Sequence, residues 1–314
     1  MQTYPNPVSQ LLNYAKCESV KHQDWPNYID EFGFTEEHSP TLVALMQDPV
    51  LIMLDPEQDH PEFGESFNPE LAMWAPFHAW RVLGQLRAIE FLEPAIAFLK
   101  EYEIDWAWEE FPDVFELIGP PIVESLGAAI KAEAAEDNVA TTLISGLERI
   151  GKAFPETRDR CVALMTETLQ SPKENDVAVN SSLIFYLVNL QATESIETIE
   201  AAYQADNVDT FYAGTWANVQ VELGLKTEAD FTEAELTPEM PPALAQMREM
   251  YEAMQRARKP DAFSLGLPMD TSIFSTKPPE FSDMQAAQSP DPQSNQGFGT
   301  AQKSSKKSKK KKKR

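Results

Sequence analysis

The strongest constraint in this sequence is a helix pair that recurs along the chain. Leucines that anchor the pairs lie at positions 83, 117, 147 and 187, with spacings of 34, 30 and 40 residues. The segments 83–99 and 187–203 align without a gap, so that Ala88 matches Ala192. One pair of this length cannot bury its own apolar face, so the repeat predicts an all-α helical-repeat solenoid. A compact helical bundle is the alternative, because leucine at helical spacing occurs in any all-α protein.

Helical periodicity extends over most of the chain, whereas the apolar alternation typical of strands is scarce. The core repeats cover residues of about 40–225, and the most regular predicted helix lies within 69–88. Further on, apolar residues spaced i, i+3, i+7 and i+10 predict a terminal amphipathic helix over 243–258 that could close the stack. These residues are Leu244, Met247, Tyr251 and Met254. We therefore predict one all-α domain over residues 1–258.

Three segments point to a particular kind of repeat. They read APFHAWRVLGQLRA (75–88), FPDVFELIGP (111–120) and NVQVELGL (218–225). In these segments the chain resembles HEAT-like repeat proteins, and it looks most like an uncharacterised bacterial group related in pattern to the HEAT-like repeats of phycobilin lyases. The resemblance implies a curved, right-handed stack of helix pairs with a long binding surface. It implies no reaction, since HEAT-like proteins are mostly scaffolds and adaptors.

The C-terminal part of the chain has a different composition. Residues 259–302 are rich in Pro, Ser, Gln, Asp and Gly without apolar periodicity, which predicts a disordered linker. Residues 303–314 read KSSKKSKKKKKR and carry nine basic and no acidic side chains, which predicts a disordered poly-Lys tail. Such a tail could contact nucleic acid or the ribosome, an anionic membrane surface, or the acidic body of the protein itself. A solubility or address tail with no specific partner is the remaining interpretation. The candidate contact residues are Lys306, Lys307, Lys309, Lys310, Lys311, Lys312, Lys313 and Arg314.

The charge of the chain is strongly asymmetric. Outside the last twelve residues, 17 basic residues stand against 50 acidic ones, a net charge of −33. A body of this charge repels phosphate and speeds the encounter with basic molecules, so we expect a protein partner with basic character. No apolar run reaches the roughly 20 residues of a membrane span, and the first residues do not form a secretory signal. We therefore expect a cytoplasmic protein, or a nuclear one if the source is eukaryotic, and the oligomeric state stays open.

Motifs for common enzymatic chemistry are missing from the sequence. It contains no HExxH, GxGxxG, GxxxxGK[ST] or GxSxG motif, and no second histidine lies near another along the chain. The acidic segment 55–65 lacks the residue order of an EF-hand loop and contains two prolines. The two cysteines, Cys17 and Cys161, are far apart and form no CxxC motif. We therefore expect no catalytic residue, no metal site and no cofactor, and an enzymatic function is less expected than a binding function.

Candidate binding residues are the aromatic ones near the strongest repeat. Tryptophan is enriched at interaction hot spots, and four of them fall within 35 residues. His78 lies on the same helix and could be a polar group in a Trp-lined groove. The candidates are Trp74, His78, Trp80, Trp106 and Trp108. The structural interpretation of the same residues is that the tryptophans pack between helices and that the ring of His78 bonds a backbone carbonyl.

Three functions remain open at the level of sequence. The leading hypothesis is a non-enzymatic protein-interaction scaffold or adaptor that uses an acidic helical-repeat surface and a basic tail. The first alternative is a lyase-like enzyme, or a binder of a small hydrophobic ligand such as a linear tetrapyrrole, near Trp74 and His78. The second alternative is a factor associated with nucleic acid or the ribosome, tethered by the tail.

Overall fold

The computed structural model describes residues 3–18, 21–58, 60, 67–135, 137–238, 240 and 242–257. Within these residues the regular structure is entirely helical and no strand occurs, which confirms the all-α class. The predicted linker (259–302) and the predicted tail (303–314), including Lys306 to Arg314, lie outside the described residues. No helix in the described part of the chain combines the length and hydropathy of a membrane span.

Short helices make up the N-terminal part of the chain. The 3-10 turns are Val8–Asn13, His22–Asp24 and Glu36–His38, and the α-helices are α1 (Tyr28–Phe32), α2 (Ser39–Met46), α3 (Pro49–Ile52) and α4 (Pro69–Ala72). Three of these helices begin at a polar residue whose side chain accepts a backbone N–H of the first turn, which is the usual N-cap arrangement. The capping residues are Asn27, Asp48 and Asn68.

Four helix pairs follow, and in each pair a 3-10 turn leads into the second helix. The pairs are α5 (Ala75–Gln85) with α6 (Leu92–Glu101), α7 (Asp105–Ile118) with α8 (Val123–Glu133), α9 (Asp137–Ala153) with α10 (Arg158–Leu169), and α11 (Val177–Asn189) with α12 (Ile196–Gln204). The 3-10 turns are Ile89–Phe91, Pro120–Ile122, Pro155–Thr157 and Thr193–Ser195. We call α5, α7, α9 and α11 the first helices, and α6, α8, α10 and α12 the second helices.

Each helix pair packs against the next pair along the chain. Among the first helices, α5 contacts α7, α7 contacts α9, and α9 contacts α11. Among the second helices, α8 contacts α10, and α10 contacts α12. Ion pairs also link successive second-helix segments, through Lys100–Glu133 (2.7 Å), Arg160–Glu124 (2.6 Å) and Arg158–Glu194 (2.7 Å). The order of the pairs in space therefore follows their order in sequence.

The two segments that align in sequence also share the same helix ending. Arg87 after α5 and Gln191 after α11 both adopt left-handed backbone angles, with φ of 55° and 53°. The next N–H in each segment, of Ala88 and Ala192, donates to a carbonyl five residues earlier at 3.0 Å. This hydrogen bond is the one that defines a Schellman ending, in which glycine is the usual left-handed residue. Both aligned segments thus end their first helix in the same way.

Two glycines lie directly against side chains of a neighbouring helix. A Cβ atom at Gly146 of α9 would lie 2.5 Å from the ring of Phe115 in α7. A Cβ atom at Gly127 of α8 would lie 2.7 Å from the side chain of Leu164 in α10. Glycine at these two positions therefore allows both layers of helices to pack at short distance.

Three short helices, a 3-10 turn and one long helix complete the described chain. They are α13 (Thr210–Ala213), α14 (Trp216–Glu222), a 3-10 turn at Glu228–Asp230, α15 (Glu233–Leu236) and α16 (Pro242–Ala257). Helix α16 occupies the region predicted for a terminal amphipathic helix. Met247 and Met254 of its apolar stripe are exposed, by 48% and 63%. The described residues therefore leave half of the predicted stripe open to solvent.

Candidate functional site

Two of the predicted binding residues lie together where α5 and α7 begin. Trp74 is the residue before α5 and Trp106 lies in the first turn of α7, with ring centroids 5.4 Å apart. Phe77 packs against both rings, at 5.2 Å and 5.5 Å. All three side chains are half-buried. Phe77 was not among the predicted binding residues, although it lies three residues after Trp74 and thus on the same helix face.

His78 lies in the interior, with 1% of its surface exposed. Its Nε2 is 2.8 Å from the carbonyl oxygen of Ala15, and its Nδ1 is 2.7 Å from the hydroxyl of Tyr28. A neutral imidazole with its proton on Nε2 satisfies both contacts, because it donates to Ala15 and accepts from Tyr28. Burial lowers the pKa of His78 to about 4, which keeps the ring neutral. Both ring nitrogens are therefore used by the protein itself.

Trp80 is fully buried and belongs to a charged network that we call the N-terminal clamp. Its indole N–H donates to Glu110 at 2.7 Å, and Glu110 also accepts from Nε of Arg81 at 2.9 Å. Arg81 donates to the carbonyl oxygen of Glu18 at 3.0 Å and lies 4.8 Å from the ring centroid of Trp25. The N-terminal clamp, made of these five residues, therefore fixes the N-terminal segment to α5 and α7.

The last predicted tryptophan, Trp108, is half-buried on α7. Its indole N–H is buried and has no acceptor among the described residues. Buried N–H groups are almost always paired, so an unpaired one is an unusual feature of this helix. Of the four predicted tryptophans, only Trp80 is completely inside, and the other three keep part of their surface exposed.

A second charged cluster joins the N-terminal segment to α7 and α9. Nδ1 of His22 is 3.1 Å from Asp113, its Nε2 is 3.6 Å from Glu116, and Arg149 forms an ion pair with Asp113. Burial alone would lower the pKa of His22, but the hydrogen bond and charge of Asp113, together with Glu116, raise it above its usual value. No sequence motif marks this cluster, because its members are far apart along the chain.

The ligand atoms of His22, Asp113 and Glu116 lie within 4.8 Å of one another, which is the one such group among the described residues. A divalent cation would need these atoms as free ligands. Here Arg149 already neutralises Asp113, and a protonated His22 would complete an ion-pair network. The arrangement is therefore explained by charge pairing, and a metal is not needed to account for it.

A strongly acidic part of the described chain is residues 193–238, which we call the acidic end. It contains ten acidic residues and one basic residue, Lys226, and no Lys or Arg occurs between Lys173 and Lys226. All ten acidic residues are exposed. They are Glu194, Glu197, Glu200, Asp206, Asp209, Glu222, Glu228, Asp230, Glu233 and Glu235. Lys226 itself lies 4.9 Å from the ring centroid of Phe231. The surface is therefore one of strongly negative potential.

Two clefts adjoin the acidic end. The first, which we call the hydroxyl cleft, has a volume of about 260 Å³ between α9, α11 and α13. Its lining is Thr141, Ala178, Ser181, Ser182, Asp209 and Tyr212. The second cleft has a volume of about 460 Å³ near the ends of α10 and α12, and both Lys173 and Glu174 line it. Of these two clefts, only the hydroxyl cleft is lined by an acidic residue and by no basic residue.

No protein family matches the chain, and comparisons with curated proteins and with solved structures find no match. The resemblance to HEAT-like repeat proteins and to the repeats of phycobilin lyases therefore stays a prediction from the sequence. A function for this chain has to be argued from its own residues.

Proposed function

We propose that this protein is a non-enzymatic adaptor that binds a basic protein partner through the acidic end. The observation that carries the proposal is the charge of residues 193–238, which contain ten exposed carboxylates and one lysine; of the ten, Glu194 is paired with Arg158. Exposed charges of one sign raise the local concentration of an oppositely charged partner and speed its association. The same charge disfavours a nucleic acid at this surface, because phosphates would be repelled.

The proposal includes a HEAT-like solenoid over residues of about 40–225. Three observations support this arrangement: the pairs follow one another in space, each second helix begins with a 3-10 turn, and α5 and α11 end in the same way. In a solenoid each repeat contacts only its neighbours, so both long faces stay available to a partner. An adaptor with an extended contact surface needs such faces.

The buried candidates favour an adaptor over a binder of a small hydrophobic ligand. The space around His78 is occupied by Tyr28, Cys17 and the Ala15 carbonyl, and Trp80 has no exposed surface. A tetrapyrrole or similar molecule would have to displace the N-terminal segment to reach either side chain. The half-buried rings of Trp74 and Trp106 remain available as apolar contacts for a macromolecule.

The proposal is tested with a fluorescein-labelled peptide of twelve alternating lysine and serine residues, whose binding to the full chain is followed by fluorescence anisotropy. One variant neutralises four carboxylates of the acidic end that neither cap a helix nor form an ion pair among the described residues, namely Glu197→Gln, Glu200→Gln, Asp206→Asn and Glu228→Gln. The matched control neutralises four exposed carboxylates elsewhere, namely Glu36→Gln, Glu37→Gln, Glu90→Gln and Glu93→Gln. Both variants change the net charge by the same amount.

We expect the first variant to weaken peptide binding by roughly tenfold or more, since each exposed charge pair contributes about 0.3–1 kcal/mol. The control should weaken binding much less, and the difference should shrink as salt is added. Equal losses in the two variants would mean that only net charge matters, and the acidic end would then not be a binding surface.

A further inference from the structure

The hydroxyl cleft adjoins the acidic end, to which Asp209 and Tyr212 of its lining belong. Its walls come from the N-terminal halves of α9 and α11 and from α13, and its polar lining consists of one carboxylate and four hydroxyl groups. Ser181 and Ser182 are buried, whereas Thr141 and Tyr212 are half-buried and Asp209 is exposed. At about 260 Å³ the cleft lies just below the roughly 300–1,000 Å³ of pockets for drug-sized ligands, so one long side chain is a better match.

The orientation of Asp209 leaves part of its charge available. One carboxylate oxygen caps α13 by accepting the N–H of Phe211 at 2.9 Å, and the backbone N–H of Asp209 donates to the hydroxyl of Ser181 at 2.8 Å. The other carboxylate oxygen has no partner among the described residues. Asp176 caps the neighbouring helix α11 in the same way, through Ala178 at 2.7 Å. The partial positive charges at both helix starts are therefore already compensated.

The hydroxyl groups of the cleft add further acceptors. Burial raises the pKa of Tyr212, and hydrogen bonds with the side chains of Ser182 and Tyr186 partly offset this increase. The hydroxyl group of Tyr212 is therefore protonated at neutral pH, and its oxygen lone pairs can accept a hydrogen bond. A lysine ammonium group has three hydrogen-bond donors and no acceptor. Its desolvation costs less free energy when carboxylate and hydroxyl oxygens replace the water molecules around it.

We propose that the hydroxyl cleft binds a lysine side chain of the basic partner, with Asp209 as the charged contact and Tyr212 as a neutral acceptor. The inference rests on the proposed function, because it identifies the point at which the acidic end recognises an individual residue. The lining contains no Lys, Arg or His, so no basic side chain among the described residues lines the cleft.

The experiment compares Asp209→Asn with Asp206→Asn in the full chain, using the labelled lysine–serine peptide as the probe. Each change removes one negative charge from the acidic end, but only Asp209 lines the cleft. Asparagine is as good an N-cap as aspartate, so α13 should keep its start. A third variant, Tyr212→Phe, removes the neutral acceptor, and a peptide with acetylated lysines serves as the uncharged probe.

We expect Asp209→Asn to weaken binding of the lysine peptide about tenfold, the usual effect of losing a hydrogen bond to a charged group. Asp206→Asn should weaken it less than about twofold, as a lost long-range charge does. Tyr212→Phe should weaken it severalfold, and neither Asp209→Asn nor Tyr212→Phe should alter the much weaker binding of the acetylated peptide. In wild type, the backbone amide resonance of Phe211 should shift as the lysine peptide is added.

Two other outcomes separate the inference from the function on which it rests. If the peptide binds wild type but Asp209→Asn and Asp206→Asn weaken it equally, the cleft is not the lysine site, and the adaptor proposal stands. If wild type does not bind the lysine peptide at any salt concentration, both the cleft and the acidic end lose their proposed role.

Discussion

Replacing Glu110 by glutamine would remove the charge that neutralises Arg81 in the N-terminal clamp while keeping the shape of the side chain. Both residues are buried, at 5% and 2% exposed, and Glu110 accepts hydrogen bonds from Trp80 as well as from Arg81. Burial alone would lower the pKa of Arg81, but the hydrogen bond and charge of Glu110 raise it above its usual value. Without the charge of Glu110 burial would lower this pKa, but a guanidinium group is not deprotonated in proteins, so Arg81 stays charged in the variant and is left without a counterion.

The cost of an unpaired buried charge is roughly 3–5 kcal/mol. Arg81 would keep the Glu18 carbonyl and the Trp25 ring as neighbours, so we expect the lower part of this range, about 3 kcal/mol. For a folded unit of this size, such a loss lowers Tm by roughly 6–12 °C. Thermal unfolding followed by circular dichroism measures it, with urea unfolding as the isothermal check.

A matched control is Glu124→Gln, which removes the charge of an exposed ion pair with Arg160. This pair lies in water on the second helices, so its loss should change Tm little. The double variant Arg81→Met with Glu110→Gln should recover part of the lost stability, because it removes the uncompensated charge. If Glu110→Gln were no more destabilising than Glu124→Gln, the clamp would not be a buried ion pair in solution, and the reasoning would fail.

Three further predictions follow from single positions. Arg87→Gly should raise the free energy of unfolding by about 1 kcal/mol, since glycine adopts left-handed backbone angles without the steric strain that arginine has there. Chemical denaturation measures this change, and a decrease would contradict the prediction. Gly146→Ala should destabilise the protein by roughly 1–3 kcal/mol because its methyl group meets Phe115, whereas Gly151→Ala on the same helix, with its nearest neighbour 3.4 Å away, should be neutral or stabilising. In an NMR titration, His22 should titrate above its usual pKa, so that its contribution to stability is present at acidic pH and lost as the pH rises through that value. His22→Gln should therefore cost more stability at pH 6 than at pH 9, and an equal cost at both would refute its pairing with Asp113.

The helices and the match between segments 83–99 and 187–203 could be read from the sequence because both are local. The match of Ala88 with Ala192 depends on apolar spacing within 17 residues, and the same local pattern produces the same helix ending in both segments. The acidic end could also have been predicted, since the absence of Lys and Arg between Lys173 and Lys226 is visible in the sequence. Only the net charge of the chain outside its last twelve residues was considered, and this charge was not assigned to separate segments.

The charged networks could not be predicted because they join distant positions. His22 meets Asp113 across 91 residues, and Arg81 meets Glu110 across 29. Helical periodicity identifies which face of a helix is apolar, but it does not identify the segment that covers the face. For the same reason the sequence could not separate buried Trp80 from half-buried Trp106. Trp80 is covered by Phe98 and Phe111, whereas Trp106 lies against Trp74 at the start of the helices.

The most direct test of the central claim is affinity capture from the source cells with three baits, namely the wild-type full chain, the variant with four neutralised carboxylates in the acidic end, and its matched control. Nuclease treatment and a salt series accompany each capture, and the retained proteins are identified and quantified by mass spectrometry. We expect the wild type and the control to retain a stoichiometric protein rich in lysine and arginine. Its retention should resist nuclease treatment, and the acidic-end variant should lose it. Retention of the same partner by the acidic-end variant, or loss of all partners with nuclease, would contradict it.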